Sequence, residues 1–220
     1  KKRSNNIKID LSLMKKKGTA NISSGVTTHE GKMVISRKEE LPKLFENRDC
    51  IVVYATTEPS EALLLGGNTA TLQEGKVIQY GKTLDVYNKP NSLISAQVFS
   101  DPPMNITKIE KKGNDCSFIN NNIKWKSKLN LKDGEYKIGI RPHNITTYKE
   151  GQNSIEIKGK VLISELSGSE SLIHFTNGNL SWVSLSNGVF QKDVGEEMSL
   201  YMNSDEFIFF DQNERLVING

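Results

Sequence analysis

Apolar and polar positions change rhythm once along the chain, near residue 104. Before it, they follow helical spacing or short β-branched runs. Residues 37–47 set Leu41, Leu44 and Phe45 on one side of a short helix, interrupted near Pro42. Ile51-Val52-Val53-Tyr54 is a continuous apolar run, which predicts a strand covered on both faces. Thr56-Thr57-Glu58-Pro59 reads as a helix entry, with threonine able to cap and proline suited to the first turn. The helix runs over 60–65 and Gly66-Gly67 ends it. Strands at 70–72 and 76–80 flank the turn Gln73-Glu74-Gly75, a hairpin pattern. Short helices follow over 83–87 and 93–99.

From Asn105 onward, short alternating segments are separated by turn signals such as Gly113-Asn114-Asp115, Lys132-Asp133-Gly134 and Asn177-Gly178. Strands are predicted over 136–140, 154–163, 171–175, 180–185 and 206–210, with almost no helical periodicity. Strands at this spacing suggest a small β-barrel or sandwich. Asp101-Pro102-Pro103 stiffens the linker between the two textures. The chain thus divides into a basic N-terminal segment (1–35), an α/β part (36–103) and an all-β part (104–220).

Composition adds limits. The 220 residues are 36% hydrophobic and 25% charged, with 29 Lys+Arg against 26 Asp+Glu, a net charge of +3. So small an excess does not argue for nucleic acid, whose binding needs a concentrated basic face. Seven of the positive residues do fall within 1–17, against the single acid Asp10. That arm is either a surface for anionic lipid or RNA, or a solvated, disordered tail. Cys50 and Cys116 stand far apart, without metal or disulfide spacing. Cys50, which opens an apolar run, reads as a small core hydrophobe. No apolar stretch approaches the roughly 20 residues that span a bilayer, and no secretory signal opens the chain. Cytosol is the default.

Candidate chemistry is sparse. Gly81-Lys82-Thr83 matches the tail of a phosphate-binding G-x-x-x-x-G-K-[ST] loop, but the position needing the first glycine is Lys76. Only a short helix fits before Pro90, so the triplet is not a phosphate cradle. Leu166-Ser167-Gly168-Ser169-Glu170 is similar to the Leu-Ser-Gly-Gly-Gln loop of certain ATPases. That loop must open a helix, whereas the following residues alternate like a strand, so a hairpin corner is expected. His29, His143 and His174 lie in unrelated contexts, and Glu39-Glu40 and Glu196-Glu197 are neighbours that diverge along any element. Trp125 and Trp182 read as barrel core.

Several spaced motifs match one family in order. Ser60-Glu61-Ala62, then Glu74-Gly75-Lys76-Val77-Ile78-Gln79-Tyr80-Gly81, then Val86-Tyr87-Asn88-Lys89-Pro90 resemble the last third of an ABC-transporter ATPase domain of the sugar and glycerol importer class. Gly139-Ile140-Arg141-Pro142-His143 resembles that class's Gly-Ile-Arg-Pro-Glu element, and Glu165 to Glu170 its Glu-x-x-Gly-Ser-Glu corner. Together the match covers about residues 36–218. The resemblance implies an ABC ATPase remnant followed by an OB-like (TOBE) barrel of the kind that pairs and receives regulatory signals. Arg141, Pro142, Gly168, Ser169 and Glu170 would form its regulatory contacts. It also implies ATP and Mg²⁺ in the intact subunit, though none for this chain alone. Implied partners are a second ATPase subunit, membrane permease subunits and a substrate-binding protein, at the inner face of the plasma membrane. Nucleic acid is not expected.

Departures from the family are as informative. Thr57 stands where the switch histidine is usual, and threonine cannot carry charge toward the γ-phosphate and attacking water. Tyr54-Ala55-Thr56-Thr57-Glu58-Pro59 is similar to the degenerate subunit of two-ATPase glycerol-type importers. No Walker A occurs in the sequence, and Asn21-Ile22-Ser23-Ser24-Gly25-Val26 occupies the place of the acidic Walker B strand. The family hydrolyses ATP; this chain is expected to be inactive alone. If residues 1–38 come partly from a shifted reading frame, the other frames encode an Asp-Glu-Pro stretch. A second reading stays open, in which the β part is a stand-alone regulatory or docking module.

Overall fold

The computed structural model describes residues 53–127 and 129–219, together with three short strands before them. Those strands, β1 (Ile22–Ser23), β2 (Val26–His29) and β3 (Lys32–Val34), pair antiparallel in that order. The expected helix over 37–47, the first half of the expected strand 51–54, and Cys50 lie outside the described residues. The chain separates into two compact units, residues 1–86 and 87–220.

In the first unit, α1 (Pro59–Leu65) begins with proline in its opening turn, where a missing N–H costs nothing. Gly66 stops it at φ 64°, its N–H closing on Ala62 O at 3.0 Å. The hairpin of β4 (Asn68–Gln73) and β5 (Lys76–Lys82) turns through Glu74 and Gly75, both at positive φ. Two consecutive positive-φ residues give the turn twist that matches paired strands. A bulge at Thr71/Leu72 interrupts the ladder, and the buried Thr71 Oγ1 accepts from Gln79 N at 3.1 Å. Of the expected strand 51–54, Val53 and Tyr54 form none, and Val53 is 57% exposed. Neither residue gains a ladder partner among the described residues, and an apolar run becomes a strand only when neighbours cover it. Helix α2 (Thr83–Asn88) follows the hairpin, and its last two residues belong to the second unit.

In the second unit, α3 (Leu93–Val98) is capped by Ser92, whose side chain accepts from Ser95 N. It buries Leu93 and Ala96 against Met104, Ile208 and Phe210. Eleven strands follow: β6 (Asn105–Lys112), β7 (Asp115–Phe118), β8 (Lys124–Lys126), β9 (Gly134–Ile140), β10 (Ile145–Thr146), β11 (Ser154–Leu166), β12 (Glu170–Asn177), β13 (Leu180–Asn187), β14 (Glu197–Asn203), β15 (Ile208–Phe210) and β16 (Leu216–Asn219). One sheet runs β16-β15-β9-β6-β7-β8 and the other β10-β14-β11-β12-β13. Ser184 Oγ on β13 donates to Ile145 O at 2.6 Å, drawing the last strand of the second sheet onto its first. The product is an all-β, OB-like barrel.

Its core draws on both sheets, with Ile109, Ile138 and Ile140 from one and Ile157, Phe175 and Leu200 from the other. Alternation in β11 as far as Val161, and throughout β13, explains how: every second residue points inward. Trp125 and Trp182 join this core as the sequence suggested, each within 6 Å of Phe118. The expected strand 206–210 is shorter than its pattern. Ser204–Glu206 forms a 3-10 turn instead, because Asn203 Oδ1 accepts from Asp205 N and bends the chain.

Gly159 on β11 leaves room for the Phe175 ring; a Cβ there would lie 2.5 Å from Phe175 Cδ2. Gly159→Ala is expected to cost about 1–3 kcal/mol through overpacking, read as a lower denaturation midpoint at unchanged slope. Gly139→Ala should cost less, since its nearest obstacle is the flexible Met104 thioether.

Candidate functional site

The candidate regulatory residues of the barrel fall into two places joined by one strand. β9 ends at Ile140, and Pro142, with φ already suited to it, starts a 3-10 turn over Pro142–Asn144. That turn packs on β13. The far end of β13 pairs with β12, Asn187 opposite Glu170, and Gly188 N donates to Ser169 O at 2.8 Å. Arg141 and Pro142 thus share a supporting strand with Gly168, Ser169 and Glu170.

Arg141 is the best-anchored of these. Its guanidinium lies over the Tyr87 ring, 3.9 Å from the centroid, while Nη2 donates to Tyr87 O at 2.7 Å. Tyr87 in turn meets Phe99 edge-on at 6.1 Å. The carbonyl belongs to the last turn of α2, where helical carbonyls lack internal partners and a cation is favoured. Burial pulls the Arg141 pKa below its ordinary value, yet a guanidinium stays charged at neutral pH. Its Nε is buried without a partner. Burial and then the Arg141 charge push His143 below the usual histidine range, with Glu206 opposing them. At neutral pH this favours the uncharged ring. Tyr87 was legible only as part of a family motif; nothing in its spacing marks it as the arginine's partner.

The 166–170 segment is the hairpin corner that the alternation implied. β11 and β12 run antiparallel to its edges, Gly168 sits at φ 86°, and Ser167 N donates to Glu170 O at 2.9 Å. Gly168 and Ser169 are exposed. So are Leu162, Ile163 and Leu166 on β11 and Val189, Phe190 and Val194 beyond β13, an apolar margin that sequence reasoning missed. The signal was present: β11 loses its alternation after Val161.

In the first unit, Thr57 is exposed just before α1. Its neighbour Thr56 does not cap the helix N-terminus directly; Thr56 Oγ1 accepts from Glu58 N at 2.9 Å and donates to Glu61 Oε2 at 2.5 Å. Tyr54 OH donates to the same oxygen at 2.8 Å, so the buried Glu61 gathers both residues upstream of the helix. Burial, and then the Glu61 hydrogen bond, push Tyr54 up to about 12.

Gly81-Lys82-Thr83 does not fit a nucleotide's phosphates. Thr83 is buried and its hydroxyl donates to Gly66 O at 2.8 Å beside Thr69 Oγ1, while its N–H is held by Gly67 O. A phosphate loop needs that hydroxyl free for Mg²⁺ and a backbone N–H aimed at the ligand. Among the described residues no cluster of three or more His, Cys, Asp or Glu is placed to hold a metal.

No family model matches the chain. Curated proteins do. The uncharacterized ABC transporter ATP-binding protein YurJ of Bacillus subtilis is 27% identical over 195 residues, covering 83% of this chain and 53% of YurJ. This chain is a relative of the ABC transporter ATP-binding proteins. The xylose/arabinose import ATP-binding protein XacK of Haloferax volcanii is 24% identical and covers 83% of this chain and 49% of XacK. The oligosaccharides import ATP-binding protein MsmX of Bacillus subtilis is 24% identical and covers 86% of this chain and 54% of MsmX. The chain spans about half the length of these relatives. Among solved structures, the cytoplasmic molybdate-binding protein ModG is 12% identical at TM-score 0.36, covering 48% of this chain and 94% of ModG. That likeness is slight.

Two outcomes are expected. Arg141→Ala should lower unfolding stability by about 2–3 kcal/mol, summing a charged hydrogen bond and a cation–π contact. Arg141→Lys should recover less than half of it, and Tyr87→Phe almost all, because only the ring and the backbone carbonyl are used. The second outcome concerns pH. Tyr54 has a raised folded pKa, so its hydrogen bond to Glu61 contributes fully below pH 10 and is lost as pH rises through about 12. Absorbance titration should show one tyrosine ionising near 12. Glu61→Gln should lower that value without restoring 10, since burial, the larger cause, remains.

Proposed function

We propose that this chain is the C-terminal portion of the energy-coupling subunit of an ABC importer for a sugar, glycerol or related polyol. The observation that carries the reading is the match to named import ATP-binding proteins across more than four-fifths of this chain. On this reading, residues 36–103 are the end of the ATPase domain and 104–220 its regulatory barrel. Thr57 holds the switch-histidine position and supplies no charge to a γ-phosphate, so the half-site to which it contributes is catalytically degenerate. ATP and Mg²⁺ belong to the intact subunit; no step of hydrolysis is assigned to residues present here. The partners are a second ATPase subunit, a permease and a substrate-binding protein, with the subunit held peripherally on the cytoplasmic membrane face. No helix among the described residues is long and apolar enough to cross a membrane.

The barrel's part is to receive or transmit contact. Arg141 holds Tyr87 by both its ring face and its backbone carbonyl, a contact within the second unit. The exposed apolar margin beside Gly168, Ser169 and Glu170 favours a second reading of the same domain, a non-catalytic docking module.

Recovery of the protein from detergent-solubilised source membranes separates the readings. A co-purifying polytopic permease and second ATP-binding subunit are expected; recovery without either, from the soluble fraction, overturns the importer assignment. The purified 220-residue chain is expected to hydrolyse ATP at background, and Thr57→His to leave it there. Measurable turnover by the unmutated chain would refute that.

A further inference from the structure

Residues 53–57 alternate in exposure although no strand forms there. Val53, Ala55 and Thr57 are exposed, whereas Tyr54 and Thr56 are half-buried. In a strand the ladder maintains that period; here side chains do. One oxygen holds them. Tyr54 OH donates to Glu61 Oε2 at 2.8 Å, and Thr56 Oγ1 donates to the same atom at 2.5 Å. Glu61 is only 3% exposed, so both bonds lie away from bulk water, where hydrogen bonds are stronger.

Glu61 is the third residue of α1, counting from Pro59. A glutamate at that position commonly reaches back to the N–H of the residue before the helix. That N–H, on Glu58, already donates to Thr56 Oγ1 at 2.9 Å, which leaves the carboxylate to reach further upstream. Glu58 itself stays extended, at φ −100° and ψ 110°. These bonds close residues 54–58 onto the first turn of α1. The other end of the helix is fixed too. Thr83 Oγ1 donates to Gly66 O at 2.8 Å and Thr83 N to Gly67 O at 3.1 Å, which anchors the end of α1 to the start of α2.

We propose that Glu61 is a positioning residue: by pinning Tyr54 and Thr56 on one side of the segment, it displays Thr57 on the other, at a place set by α1 and not by the residue at 57. The importer reading enters only in what the display serves, which is to present position 57 to the half-site. On that reading the degeneracy lies in the threonine side chain, and the loop that holds the position is intact. Both hydroxyls use one oxygen, so the pin needs an acceptor and not a charge.

The test is ¹⁵N relaxation of the full chain, read at the Thr57 and Glu58 amides. Their order parameters should match those of α1, at about 0.85. Glu61→Gln, which keeps an oxygen in place, should leave them there, and so should Thr57→Ala. Glu61→Met, of similar length but without that acceptor, should drop both below about 0.6 while the α1 amides keep their values. Unchanged order in Glu61→Met, a loss in Glu61→Gln equal to that in Glu61→Met, or the same loss in Thr57→Ala would each overturn the proposal. If Glu61→Met melts α1 as well, Thr56→Val against Thr56→Ser decides. Valine should loosen Thr57 and Glu58 and serine should not; no difference between the two overturns the proposal. These measurements need no partner protein, so the proposal and the co-purification that tests the importer reading can fail separately.

Discussion

Two sheets with separate hydrogen-bond ladders need something to set them against each other, and one asparagine does so. Asn105 Nδ2 donates to Val183 O and Asn105 Oδ1 accepts from Val183 N, each at 2.7 Å, so a buried side chain completes a strand it does not belong to. Left unpaired, those backbone groups would cost about 1–3 kcal/mol each. One residue further along β13, Ser184 closes the second sheet onto β10. The shared core of isoleucines and aromatics depends on this join, because alternation supplies inward-facing residues but not the face they meet. So does the site: the 3-10 turn after Arg141 rests on β13, and the same strand carries the 168–170 corner at its other pairing edge.

Arginine at position 141 uses three properties that lysine lacks together: a flat cation, a donor fork and retention of charge when buried. The flat face covers Tyr87 while the fork takes the Tyr87 carbonyl, so one side chain reads both the ring and the helix end that bears it. Pro142 next to it fixes the direction of the chain as it leaves the strand. The imidazole of His143, kept uncharged by its surroundings and by Arg141, adds no second cation to repel the first.

Gly81-Lys82-Thr83 has the letters of a nucleotide motif, but Thr83 spends its N–H and hydroxyl on the turn after α1. Glu61, read in sequence only as part of Ser60-Glu61-Ala62, organises Tyr54 and Thr56 immediately upstream of Thr57. A motif acts through its backbone context, and here the context assigns Gly81-Lys82-Thr83 as structural.

Much of the second unit was legible because its rules are local. Alternation located the strands of the barrel, and strand-like alternation after Glu170 identified a hairpin corner where Leu166-Ser167-Gly168 resembled an ATPase loop. Glu74-Gly75 fixed the first hairpin through the positive φ its turn requires, and Pro59 with Gly66 bounded α1. Spaced motifs then identified the relatives. Tertiary structure alone decided which partners meet: Arg141 with Tyr87, 54 residues apart, and Asn105 with Val183, 78 apart. It also denied Val53 and Tyr54 a strand and shortened the one before Phe210. Propensity and alternation act over a few residues, whereas these outcomes depend on long loops closing and on which faces the closed barrel buries.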